Sequence, residues 1–119
     1  MTPWGADGSP LKRVISLLDG RWTLAALAEL QKGGRRYHEL DESLDGVSHK
    51  VLTDTLRRAE RDGLIARHLD PSRLDTATLY RLTDLGRSLK DSLAVLERWA
   101  EANWLGVEAA RKRWSRRSG

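Results

Sequence analysis

Apolar residues recur along most of this chain at helical spacing and give way to alternation in one place only. Leu11, Val14, Ile15 and Leu18 fall three or four residues apart behind Ser9-Pro10, an N-cap residue followed by proline at the first helical position. Gly20 closes that helix. A second helix is predicted from about residue 21 to 31, with Trp22, Leu24, Ala25, Leu27, Ala28 and Leu30 apolar and Gly33-Gly34 as its stop. A short third helix, about 36 to 44, carries Tyr37, Leu40 and Leu44 and ends at Asp45-Gly46. The fourth starts near Ser48 and runs to Gly63, with Val51, Leu52, Leu56 and Ala59 as its apolar face. Residues 64–70 and 78–83 then read as two strands joined by 71-PSRLDTA-77. Thr83 caps a long last helix, whose stripe Leu85, Leu89, Leu93, Leu96, Ala100, Trp104 and Val107 reaches almost to residue 119. Gly86 and Gly106 are mild interruptions in it.

The predicted fold is therefore mostly α with a small β-hairpin wing, in the order α-α-α-α-β-β-α. The third and fourth helices, joined by a turn at Asp45-Gly46, make a helix-turn-helix. The hairpin that follows makes it a winged helix-turn-helix. Residues 1–8 are expected to form an N-terminal arm, 9–115 the winged helix-turn-helix domain, and 116–119 a basic tail.

In such a motif the second helix enters the major groove N-terminal end first. That places Ser48, His49, Lys50 and Thr53 where base edges are reachable. Ser48 is an N-cap, a phosphate contact, or both. Imidazole can donate or accept, and Lys can reach guanine O6/N7 or a phosphate. Thr53 can offer a methyl to a thymine methyl. Arg57 continues the same face as a phosphate ligand. Arg36, at the start of the third helix, and Arg73, at the wing tip with nothing apolar to pack on, complete the candidate DNA surface. Arg58 and Arg61 are instead candidates for helix-surface ion pairs with Asp54 and Glu60.

The runs 20-GRWTLAALAEL-30, 36-RYHEL-40, 47-VSHKVLTDTLRRAERDGLI-65 and 79-LYRLTDLG-86 resemble the HxlR-type winged-helix transcriptional regulators. The likeness spans roughly residues 9 to 105. It implies a homodimer that binds double-stranded DNA at a pseudo-palindromic operator, with the first and last helices building the dimer interface. Repression is the expected regulatory effect. Family members commonly begin the domain with Cys-Pro, thirteen residues before the tryptophan of the second helix. Counting back from Trp22 lands on Ser9, followed by Pro10. A serine hydroxyl cannot do the thiolate chemistry through which cysteine-bearing members sense oxidants or electrophiles. A non-covalent effector is expected in its place.

Composition sharpens this picture. The chain has 119 residues, enough for one domain with a modest core. It has no cysteine, which excludes disulfides, thiolate zinc sites and thiol switches. No apolar run approaches the ~18–20 residues of a membrane span, and the N-terminus lacks the features of a secretory signal. A cytoplasmic protein without cofactor or metal is expected. His38, His49 and His68 match no metal-ligand spacing, and no phosphate loop or nucleophile elbow is present, so enzyme activity is not expected. The net charge of +4 is misleading as an average. Residues 111–119 hold five basic and no acidic groups; without them 21 basic residues become 16 against 17 acidic, a net of −1. The basic tail is either a solvated helix end suited to the macrodipole or a phosphate contact.

Five tryptophans accompany zero phenylalanines. Trp22 falls in the core motif. Trp99 and Trp104, five apart on the last helix, cannot share one narrow stripe. Together with Trp4 they either pack a dimer or line a pocket for a small aromatic effector. The near-neutral body also keeps a second function open, a winged-helix protein–protein module without DNA binding.

Overall fold

The computed structural model describes residues 8–69 and 78–118. Trp4, Arg73 and the connection between the two strands lie outside them. The described residues form two compact units that divide between Ser88 and Leu89.

The first unit opens with α1 (Pro10–Leu18), capped by Ser9, whose Oγ accepts from the Lys12 amide at 3.3 Å. No residue of α1 is buried, and Leu11 and Ile15 are 68% and 60% exposed. Next come α2 (Thr23–Gln31), the two-residue strand β1 (Arg35–Arg36), α3 (Tyr37–Ser43) and α4 (His49–Arg61). The turn between α3 and α4 is closed by Val47 N–H donating to the Leu44 carbonyl at 3.2 Å. Gly46 holds φ +89° there, a left-handed conformation that side chains oppose. Two strands, β2 (Ile65–Leu69) and β3 (Thr78–Leu82), and a short helix α5 (Asp84–Arg87) complete the unit.

The core is built where these elements converge. Ala26, Leu27 and Leu30 of α2, Leu40 and Leu44 beside α3, and Leu52, Leu56 and Ala59 of α4 are buried with Leu64, Ile65 and Leu82. Each fully buried leucine stabilises the fold by about 1.5–3 kcal/mol relative to exposure. The buried face of α4 differs from the expected one. Leu52, Thr55, Leu56 and Ala59 are inside, whereas Val51 is 39% exposed. At 3.6 residues per turn, position 51 lies about a quarter turn off the stripe that positions 52, 55, 56 and 59 share. Thr55 takes the place that hydrophobicity alone gave to Val51.

Two further differences concern secondary structure. The expected hairpin is a three-stranded antiparallel sheet in the order β1-β3-β2. Arg35 pairs with Tyr80 and Arg36 with Leu79, while Arg67 faces Tyr80 from the other side. Two arginines give no strand signal by themselves; the β3 edge imposes the extended conformation. The long last helix is also divided, because α5 ends at the turn residues Ser88 and Leu89. Thr83 ties α5 in place: its Oγ1 donates to the Gly63 carbonyl at 2.6 Å and accepts from the Gly86 amide at 3.0 Å.

The second unit is α6 (Lys90–Ser118) with Leu89 before it. Arg116 and Arg117 belong to its last turn. Val95, Leu96, Trp99, Trp104, Leu105 and Trp114 are all exposed on it. No described helix is long and apolar enough to cross a membrane.

Candidate nucleic-acid interface

The first turn of α4 is solvent-facing and locally fixed. Ser48 caps it, with Oγ accepting from the Val51 amide at 3.1 Å. His49 and Lys50 follow on the exposed surface. The turn is held from the side by α3. The Tyr37 hydroxyl donates to the His49 carbonyl at 3.1 Å and lies 3.1 Å from Thr53 Oγ1. The Tyr37 ring is 5.8 Å from the His49 imidazole, tilted by 54°. Asp41 Oδ2 stands 3.5 Å from His49 Nε2, but the His49 side chain is 79% exposed, so water screens that pair. Thr53 is half-buried, with its hydroxyl engaged by Tyr37.

Arg57 is exposed one turn further along, and among the described residues no carboxylate pairs with it or with Lys50. Arg57 also borders a crevice of about 130 Å³ between α4 and the sheet, lined by Tyr37, Thr53, Leu56, Glu60, Arg67 and Tyr80. Arg67 Nε donates to Glu60 Oε2 at 2.8 Å, which ties β2 to α4 and pushes the Arg67 guanidinium above its ordinary value. Burial raises the Tyr80 phenol above its ordinary value, and Arg67 partly opposes this. The ion pairs differ from those expected on α4: Arg61 pairs with Asp62 at 3.1 Å, and Glu60 with Arg67.

Arg36 lies in β1 and at the N-cap of α3, with its backbone N–H donating to Glu39 Oε1 at 2.8 Å. Ser48, His49, Lys50, Thr53 and Arg57 share α4, and Tyr37 links the α3 side to them. Trp99 and Trp104 lie on α6, 55% and 43% exposed, and Arg111 lies 5.1 Å above the Trp104 ring. Trp22 is half-buried at the start of α2, under the Arg21 guanidinium. Among the described residues no group of three His, Asp or Glu side chains could hold a metal ion.

Sequence reasoning missed Tyr37 as a brace, reading it only as a packing residue. Its signal was its place directly after the Arg36 N-cap, on a helix that must cross the first turn of α4. The Glu60–Arg67 pair had no signal, because the strand register that joins its members is a tertiary property.

Known proteins share this fold. The family model for the HxlR-like helix-turn-helix matches residues 17–108. The uncharacterized HTH-type transcriptional regulator sll1512 of Synechocystis sp. is 36% identical over 100 residues, covering 84% of this chain and 73% of that protein. The redox regulator HypR, solved in its reduced form, matches with a TM-score of 0.80 at 25% identity, over 85% of this chain and 99% of its own. A candidate transcriptional regulator, YtfH of Salmonella typhimurium, matches with a TM-score of 0.75 at 33% identity, over 90% and 95% of the two chains. The chain belongs to the HxlR-like helix-turn-helix family. It is a winged helix-turn-helix protein of the transcription-regulator class.

Proposed function

We propose that this protein is a homodimeric repressor, acting in the cytoplasm, that reads a pseudo-palindromic operator through the first turn of α4. The observation that carries the reading is the exposed Ser48, His49, Lys50 turn, braced from behind by Tyr37. Hydrogen-bonding side chains on a fixed helix end suit base-edge readout, and a pinned backbone lowers the ordering cost of binding. Arg57 and Arg36 are assigned to phosphates, as is Arg73. Dimerisation is assigned to α1 and α6, which leave Leu11, Val14, Ile15, Val95, Leu96 and Leu105 exposed in a single chain.

Regulation is assigned to a small, partly aromatic, non-covalent effector at Trp99, Trp104 and Trp4. HypR is described as a redox regulator; this chain has no cysteine with which to copy a thiol switch. No enzymatic role is assigned.

The test is a gel-shift series on the DNA upstream of its own gene and its neighbours. The reading expects a dimer by light scattering and half-sites about one helical turn apart. Lys50→Ala should lose about 1–3 kcal/mol if Lys50 reads a base. A folded, dimeric protein that shifts none of these duplexes would point to the protein-contact module instead.

A further inference from the structure

The C-terminal end of α6 has properties that the α4 interface does not explain. The family match stops at residue 108, and Glu108 is also the last acidic residue of the chain. Beyond it come Arg111, Lys112, Arg113, Arg116 and Arg117, all exposed and all helical. Arg111 lies over Trp104. Among the described residues, Lys112, Arg113, Arg116 and Arg117 meet no carboxylate. At 3.6 residues per turn these four fall within an arc of about 140°. Lys112 and Arg116, and Arg113 and Arg117, are like charges at i,i+4, which costs the helix stability that the macrodipole only partly offsets. Between the arginines lies Trp114, 70% exposed. Ala110, Arg113, Trp114, Arg116 and Arg117 line an open hollow of about 400 Å³.

We propose that this end of α6 is a second, sequence-independent contact for the sugar-phosphate backbone of duplex DNA. The inference rests on the reading of the chain as a DNA-binding regulator. Charge complementarity carries it: the rest of the chain is at net −1, so the attraction to a polyanion is concentrated here. The guanidinium groups hold phosphate oxygens, and the exposed Trp114 face covers deoxyribose. Such contacts supply affinity and steering without reading sequence. A membrane surface suits this end less well. Trp114 is the one large apolar side chain after residue 108, and a surface-seeking helix needs a broad apolar face.

The experiment compares the full chain with a K112Q/R113Q/R116Q/R117Q variant by fluorescence anisotropy across a salt series. Two labelled duplexes are used, the DNA upstream of the gene and an unrelated sequence of equal length. On the unrelated duplex the variant should bind about tenfold more weakly or worse at low salt. Its log–log salt slope should be shallower by about 0.9 for each phosphate that it no longer neutralises. The ratio of affinities for the two duplexes should not change. Equal affinity and slope for wild type and variant on the unrelated duplex overturns the proposal. So does tighter binding of the wild type to phosphatidylglycerol vesicles than to that duplex. If circular dichroism shows that the variant loses helix, deletion of residues 116–119 removes two cations and should give about half the slope change. Equal wild-type affinity for both duplexes would instead defeat the operator reading of α4, without touching this one.

Discussion

A Cβ built on Gly86 would lie 2.1 Å from the Leu64 carbonyl oxygen. The backbone of α5 therefore rests directly on the chain between α4 and β2. That carbonyl also accepts from the Thr83 amide at 3.1 Å, so it cannot swing away without breaking the bond. Helix propensity alone favours alanine over glycine by about 1 kcal/mol. The clash is with backbone and reverses the sign. Gly86→Ala should destabilise the first unit by about 2 kcal/mol or more, the scale of an overpacked core. Urea unfolding would show this as a lower midpoint at unchanged slope; an unchanged or higher midpoint would contradict the contact.

Thr55 is the opposite case. It is 1% exposed, and among the described residues its Oγ1 has no hydrogen-bond partner. A buried hydroxyl without a partner costs about 1–3 kcal/mol. Thr55→Val keeps the shape and removes that cost, so stability should rise by about 1 kcal/mol. A drop in stability on thermal unfolding would mean that the hydroxyl has a partner in solution.

Alkaline pH should weaken the fold through Tyr80. Burial holds its phenol above the ordinary value in the folded protein. The unfolded chain loses that proton first, near pH ~10. The contribution is therefore complete below about pH 10 and is lost as pH rises toward the folded value. Urea titrations at neutral and alkaline pH should show a decline that is shallower in Tyr80→Phe. Parallel declines in the two proteins would assign the effect to other groups.

The proposed effector site predicts that an aromatic metabolite quenches tryptophan emission and weakens DNA binding. A tenfold loss of DNA affinity needs a differential binding of only about 1.4 kcal/mol between the two arrangements of the dimer. Trp99→Ala or Trp104→Ala should weaken the metabolite's binding. Unchanged affinity in both would remove these residues from the site and leave them as packing. Diamide should not release the protein from DNA, because it has no cysteine to oxidise.

The winged helix-turn-helix was legible because its signals are local. Ser9 and Ser48 cap the helices they were expected to begin, while Thr83 caps the short α5 where one long helix was expected; all three side chains accept N-terminal amides. The period of Leu52, Leu56 and Ala59 marked the buried face of α4. What escaped depended on distant partners. The two residues of β1 are extended only because β3 lies beside them. Gly86 looked like a flaw in one long helix until Leu64 came against it. In the candidate interface, α4 and the exposure of Ser48, His49 and Lys50 followed from amphipathicity. The brace from Tyr37 and the Glu60–Arg67 tie needed the fold.

The order β1-β3-β2 also bears on self-association of a different kind. Exposed strand edges are templates on which chains aggregate, and short length and positive charge are the usual protection. Here β3 is central, and both flanking strands carry cations. One edge is only Arg35 and Arg36; the other, β2, carries Arg67, which is paired with Glu60. Pairing a second copy of β1 against this one would bring like charges together. The arginines of β1, whatever they do for DNA, are therefore expected to disfavour pairing of another chain along that edge of the sheet.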